Sequence, residues 1–521
     1  MQRQPTIHRP TMNPILLTTL NAQYIHASLG LRCLLANLGP LRSRAKLVEF
    51  ILEQRPIDIV ESLLAHDPAI VGLGVYIWNV KQTTEVVALL KTVRPDILIV
   101  LGGPEISYEY DAQRIVQLAD YAITGQGDLA FANLCERLLR GERPVDKIVE
   151  APVPKMDDLA LPYGEYTDED IKNRLIYVEA SRGCPFKCEF CLSSLDKTAW
   201  PFALDRFLDA MQSLYERGVR HFKFVDRTFN LNVKASKRIL DFFLERMTAG
   251  LFVHFELIPD HLPDALRESI VRFPPGSLQF EIGIQTFNPE VQHNISRKQD
   301  DARTVENIAW LREHTHAHLH ADLIVGLPGE NLASFAQGFD RLIRLNPHEI
   351  QVGILKRLRG TPIARHTDTF DMRYNPEPPY NILANAQIDF ATIQRLSRFA
   401  RYWDMIGNSG RFVRTRPLLL GDAPFERFMQ LSDWLFATTG QTHRIALDRL
   451  YSLVFDALTT TFGIDMETAR DLLSRDYVEA GARGSPKFLV PPIRLGTAPG
   501  TENHSRRQLR HRRDAIAPGR L

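Results

Sequence analysis

Cysteine is scarce: the chain has five in 521 residues, too few for a disulfide framework at this length. An excess of either charge is also missing. Lysine and arginine number 63 against 62 aspartate and glutamate, a formal net charge of +1, so no overall field draws the chain to nucleic acid or to an anionic membrane. Long hydrophobic runs are missing too: nothing approaches the roughly 18 consecutive apolar residues that span a bilayer. The first thirteen residues, MQRQPTIHRPTMN, lack the apolar stretch of a secretory signal. These absences lead us to expect a cytoplasmic protein without a membrane or nucleic-acid partner, whose function lies in local sites. What remains is ordinary globular material, with 44% hydrophobic and 24% charged residues, enough for about three domains at roughly 150 residues each.

Short, partly β-branched apolar runs alternate with amphipathic segments over residues 13–142. They are ILLTTL from Ile15, KLVEF from Lys46, IVGLGVYIW from Ile70, ILIVLGG from Ile97 and YAITGQG from Tyr121. Strand–helix alternation of this kind builds a parallel sheet, so the expectation is a five-stranded, flavodoxin-like doubly wound α/β domain with its ligand beyond the carboxyl ends of the strands. Residues 143–172, rich in proline and acidic side chains, read as a linker. Over 173–365 the alternation resumes in six units, starting at LIYVEASRG, HFKFVD, FVHFELIPD, SLQFEIGIQ, HLHADLIVGLPG and EIQVGILKRLRG. Six βα units fit a partial (β/α)6 barrel with its chemistry at the C-terminal ends of the strands. Residues 366–495 carry helical patterns and predict a small α-helical domain. Residues 496–521 are polar and basic and predict a disordered, solvated tail, since no aromatic interleaves the arginines.

Three of the five cysteines fall in ASRGCPFKCEFC, as Cys184, Cys188 and Cys191. Three thiolates at C-x3-C-x2-C spacing suit three irons of a four-iron, four-sulfur cubane and leave the fourth iron open to an external ligand. Zinc is the weaker alternative, because a structural zinc site wants a fourth Cys or His and none occurs within 29 residues after Cys191. Cys33 and Cys135 lie in helical patterns and are expected to pack as small apolar residues.

With this motif on a barrel strand, the segment from about Leu175 to Thr361 resembles the radical S-adenosylmethionine superfamily. The resemblance implies a [4Fe-4S] cluster whose open iron chelates S-adenosylmethionine, and reductive cleavage to methionine and a 5′-deoxyadenosyl radical. Details look like the anaerobic coproporphyrinogen oxidase branch. FELIPD then implies Glu256 at the methionine amino group, EIGIQTFNPEVQHNISRKQ implies Gln285 and Arg297 at the ribose and carboxylate, and HADLIVGLPGE implies Asp322 at the ribose. Phe190 would present its backbone to the adenine. Where many relatives have a glycine-rich second strand, this chain has FKFVDRTFN, so the amino group would be shared with Asp226. Each role also suits the side chain: a carboxylate for an ammonium, a guanidinium fork for a carboxylate, an acceptor for hydroxyls.

The preceding α/β domain resembles the cobalamin-binding module of cobalamin-dependent radical enzymes. The matching loops are NAQYIHASLG, YIWN, GGPE and GQGD, and they imply corrin contacts at Asn21, Tyr76, Trp78, Gly102, Gly103, Gly125 and Gly127. His26 does not sit in the D-x-H-x-x-G motif that supplies cobalt with a lower histidine ligand, so it reads as a loop or core histidine. The combined resemblance implies methyl transfer to an unactivated carbon of a small molecule, with an external one-electron reductant such as flavodoxin or ferredoxin. Cobalamin-dependent rearrangement, cyclisation or oxidation is the alternative. An RNA-modifying enzyme of the methylthiolating branch fits less well, because its second cluster needs cysteines that this N-terminal domain lacks. A non-enzymatic iron–sulfur scaffold is the remaining rival.

Overall fold

The computed structural model describes residues 14–482, together with 486, 488 and 489; the expected basic tail lies outside the described residues. The chain forms two compact units. The first comprises residues up to Asp226 with Arg357–Pro362 and Asn375–Tyr380, and the second comprises Arg227–Lys356, Ile363–Tyr374 and the chain from Asn381. Among the described residues no helix is long and apolar enough to cross a membrane.

The first unit opens with strands β1 (Ile15–Asn21), β2 (Ala45–Ile51), β3 (Ile70–Gly74), β4 (Leu98–Gly102) and β5 (Tyr121–Gly125). The runs of β1, β3, β4 and β5 are largely buried, as central strands between helix layers require, while the edge strand β2 is only partly buried. Leu16 and Leu20 enter one core with Val71, Leu73 and Leu101, while Ile15 and Leu17 enter the other with Ile70, Val100 and Phe131. A sixth strand, β6 (Ile148–Ala151), comes from the stretch expected as a linker and extends the order to β2-β1-β3-β4-β5-β6. Only four residues long and flanked by proline and charge, it has no readable period; its parallel pairing with β5 is tertiary. The chain crosses from β2 past β1 to β3, so the order reverses at β1, and the crevice beyond the carboxyl ends of β1 and β3 is where this topology places a ligand.

In the same unit follow β7 (Ile176–Val178), the short antiparallel pair β8 (Ser181–Gly183) and β9 (Ala199–Pro201), and β10 (His221–Phe224), which lies parallel to β7. Strands β8 and β9 were not foreseen. They flank the cysteine segment.

The second unit holds β11 (Phe252–Leu257), β12 (Leu278–Gln285), β13 (His318–Val325) and β14 (Glu349–Ile354), each parallel to the next. Helices Phe390–Met405, Pro424–Thr439, Leu447–Asp456 and Met466–Glu479 supply the expected helical domain. Phe399, Trp403, Phe425 and Phe428 pack ring against ring around Phe339, from the helix preceding β14. Asn408 closes β14 as a further strand would: its side-chain amide accepts from the Ile350 N–H and donates to the Ile350 carbonyl, both at 2.8 Å.

Candidate functional site

The cysteine segment runs between β8 and β9, a placement that depends on Gly183. Its φ is 84°, and a Cβ there would lie 2.3 Å from the Thr198 carbonyl oxygen, so only glycine lets the two strands close behind the loop. Cys184 and Cys188 are buried and Cys191 is partly open. The Cys191 N–H donates to the Cys188 carbonyl at 3.1 Å, which turns the chain between the last two thiols with Phe190 inside the turn. Among the described residues no three His, Cys, Asp or Glu side chains gather tightly enough to hold a single metal ion. Three thiols on one loop fit a cubane, whose ligands sit on separate irons rather than around one ion.

Asp226 follows β10 and is 3% exposed. Its carboxylate accepts from the Ala180 N–H at 2.9 Å and the Ser181 hydroxyl at 2.7 Å, so it anchors the strand that leads to the cysteines. Burial pushes its pKa up to about 7 against those two stabilising bonds. Because the folded value is raised, the native state binds the proton more tightly than the unfolded chain. The stability tied to this proton is full below about pH 4 and is lost as pH rises to about 7, at roughly 1.4 kcal/mol per unit. Asp226→Asn should flatten that part of the pH dependence of unfolding, measured by denaturant titration between pH 4 and 8.

In the second unit, three predicted residues meet where β12 ends beside Asp322, within β13. The register of this pair shifts between Gly283 and Gln285, and Gln285 has φ 69°. Arg297 donates through Nη2 to the Gly283 carbonyl, while Gly283 lies opposite Asp322. A Cβ on Gly283 would strike the Gln285 amide at 2.5 Å, so this glycine makes room for the gathering. Burial raises the Asp322 pKa, opposed by His320, 3.3 Å away, and by the charge of Arg297. Glu256, on neighbouring β11, pairs with Arg227 at 2.7 Å.

At the switch point, Asn21 ends β1 and its amide donates to Glu49 at 2.9 Å, within a buried ionic group of Arg32, Glu49, Asp170 and Arg174. Its polar end is thus directed to protein. After β3, Tyr76 and Trp78 stack with centroids 4.5 Å apart, and Trp78 is 49% exposed. They belong to a loop, since β3 stops at Gly74. Asn79, the last residue of YIWN, is fully buried: it donates to Thr19, Leu20 and Gly74 and accepts from the Tyr76 N–H, fixing the loop that carries the two rings, a supporting role that the motif alone does not show. Gly103 has φ 110°, and a Cβ there would lie 2.5 Å from the Val75 carbonyl oxygen, whereas a Cβ on Gly102 would meet nothing within 4 Å. Gly125 is likewise left-handed at φ 74°, and Gly127 caps helix Asp128–Leu139. The exposed Trp78 ring, stacked on the partly buried Tyr76, and bare backbone after β3 and β4 form a cradle suited to a large flat ligand.

Glu105, the last residue of GGPE, and Glu109 take ionic partners that the sequence does not reveal. Arg359 donates to Glu105 at 2.9 Å, Arg357 grips both oxygens of Glu109 at 3.0 and 3.1 Å, and the Tyr380 hydroxyl donates to Glu105 at 2.6 Å. The partners lie about 250 residues apart in sequence, and no local pattern announces them.

Comparison with known proteins gives three successive profile matches along the chain. The B12 binding domain profile matches residues 15–135, the radical SAM superfamily profile matches 178–342, and a protein of unknown function (DUF4080) profile matches 368–514. The chain is 23% identical over 337 residues to an uncharacterized methyltransferase of Pyrococcus horikoshii, covering 56% of this chain and 70% of the relative. It is 23% identical over 339 residues to the cobalamin-dependent radical SAM methyltransferase TokK of Streptomyces tokunonensis, covering 56% of this chain and 47% of that protein. The chain therefore spans about half of TokK. Among solved structures, the radical methyltransferase TsrM of Kitasatospora setae, with cobalamin and [4Fe-4S] cluster bound, superposes with TM-score 0.55 at 16% identity, over 68% of this chain and 77% of TsrM. At that identity the likeness concerns the fold.

Proposed function

The chain is a radical S-adenosylmethionine protein with a cobalamin-binding domain, and from that premise we propose that it transfers a methyl group to an unactivated carbon of a small molecule. When bound, the cluster supplies the electron that splits the sulfonium, and cobalamin supplies the methyl group. The observation that carries this reading is the presence, within one compact unit, of a three-thiol loop and a switch-point cradle lined by the stacked Tyr76 and Trp78 rings and glycine backbone.

The chain's own residues would bind and orient. Cys184, Cys188 and Cys191 hold the cluster, and Phe190 offers its backbone to the adenine. Arg297 pairs with the methionine carboxylate, which suits a guanidinium already fixed on the Gly283 carbonyl. Asp322 accepts from the ribose hydroxyls beside Gln285, and Glu256 attracts the amino group in exchange for Arg227. Tyr76, Trp78, Gly102, Gly103, Gly125 and Gly127 face the corrin. Asn21 and Asp226 support their loops. A flavodoxin- or ferredoxin-like reductant completes the set.

Asp322→Asn removes a charged acceptor worth about 1.5–3 kcal/mol and should weaken S-adenosylmethionine binding about 10- to 100-fold, measured by equilibrium dialysis, while the melting temperature reports separately the loss of its pairing with His320. The reaction itself is tested with anaerobically reconstituted, reduced protein. Methylation consumes one S-adenosylmethionine as methyl donor and another as radical source, so both S-adenosylhomocysteine and 5′-deoxyadenosine should accumulate. 5′-Deoxyadenosine alone would favour rearrangement, cyclisation or oxidation.

A further inference from the structure

Arg182 lies two residues before Cys184, with its side chain 14% exposed. Its guanidinium grips both oxygens of Asp128, at 2.9 and 3.1 Å, and reaches the Glu179 carboxylate at 2.7 Å. The same Nη2 lies 3.4 Å from the Cys33 sulfur, and the group sits over the Phe202 ring at 5.5 Å. Asp128 is the last residue of GQGD and the first of helix Asp128–Leu139, directly after Gly127. Thus one cation holds a residue of the loop assigned to the corrin while its own backbone runs through left-handed Gly183 into the first thiol. The fork is held by two carboxylates and walled by a thiol and a ring, all buried, so the guanidinium has no second rotamer to relax into without leaving a buried charge unpaired.

We propose that Arg182 is a positioning residue that couples cobalamin binding to the cluster: an ordered cluster loop holds Asp128 and the Gly125–Gly127 backbone in their binding conformation, and a bound corrin in turn steadies the loop of Cys184. The inference rests on the cobalamin reading of the N-terminal domain. Such coupling is reciprocal and amounts to a ratio of affinities, typically 5- to 150-fold. Removing the fork removes the ratio even where both cofactors still bind. The contact with Cys33 is peripheral, because a thiol is a weak acceptor.

The test uses the full chain and titrates hydroxocobalamin, followed by absorption, into cluster-loaded and cluster-free protein. For the wild type we expect tighter binding when the cluster is present, by about 5-fold or more. Arg182→Lys keeps the charge but not the fork, and Asp128→Asn keeps the shape but not the charge; both should bring the ratio towards one. Cys33→Ala should retain it and controls for general damage to this core. The melting temperature of each variant, with the iron content of the loaded form, reports folding independently. A folded Arg182→Lys protein that retains the wild-type ratio, or a wild type without coupling, would overturn the proposal. A wild type that binds no cobalamin in either form would overturn it together with the function on which it rests.

Discussion

Cys188→Ala should abolish the iron–sulfur absorption of reconstituted protein and reduce S-adenosylmethionine cleavage to the level of cluster-free protein, while cobalamin binding should persist. Cys188 is buried, and its carbonyl accepts the N–H that turns the chain towards Cys191. A methyl group in place of the sulfur leaves the backbone turn intact but takes away one of only three thiolates on the loop. No replacement is at hand: the other two cysteines, Cys33 and Cys135, are buried in the N-terminal domain, and burial pushes the Cys135 thiol up to about 12. The loss therefore concerns the cluster rather than the fold, so the melting temperature of the cluster-free variant should match that of cluster-free wild type. Iron and sulfide analysis beside a corrin titration checks both halves.

The second large effect separates two adjacent glycines. Gly103→Ala would place a Cβ 2.5 Å from the Val75 carbonyl oxygen and 3.0 Å from its nitrogen, at φ 110°. Neither atom can yield, because the Val75 N–H donates to the Gly102 carbonyl at 2.8 Å. We expect a loss of stability of about 3 kcal/mol or more, combining backbone strain with the steric clash. Gly102→Ala meets nothing within 4 Å and should leave stability unchanged within about 0.5 kcal/mol, as for an exposed substitution. If a corrin lies against that backbone, however, the added methyl group should weaken cobalamin binding at least about 10-fold. Chemical denaturation and a cobalamin titration on both variants distinguish the fold's requirement for Gly103 from the ligand's requirement for Gly102.

The doubly wound sheet was legible because a buried strand reads as a largely apolar run, as those from Ile15, Ile70, Ile97 and Tyr121 do; the edge strand β2, with Lys46 and Glu49, is only partly buried and was read from its spacing between helical segments. The six barrel strands announced themselves in the same way, each beginning within a residue or two of its run. The cysteine loop was legible as spacing. Strand β6 was not, since four residues at a sheet edge carry no period. The β8 and β9 pair was also hidden, because three-residue strands around a glycine look like a turn. Among the site residues, sequence could rank Asp226, Glu256 and Asn21 as polar groups at strand ends, but not say whether a ligand or the protein would take them. Asp226 and Asn21 are taken by Ser181 and Glu49, and Glu256 by Arg227. The ionic contacts of Arg182 and Glu105 depend on partners 54 and 254 residues away. Charged residues beside a cysteine motif and within GGPE were the available signals, and they lacked a partner until the fold supplied one.

Everything proposed for the reaction depends on an iron that the protein leaves free to bind the amino and carboxylate groups of S-adenosylmethionine. Electron paramagnetic resonance of the dithionite-reduced, reconstituted protein, recorded with and without S-adenosylmethionine, tests this directly. The account predicts a reduced four-iron signal whose shape changes when the cofactor is added, with the change weakened in Asp322→Asn at the same cofactor concentration. A spectrum identical in both conditions, or tightly bound zinc with no iron signal, would contradict it.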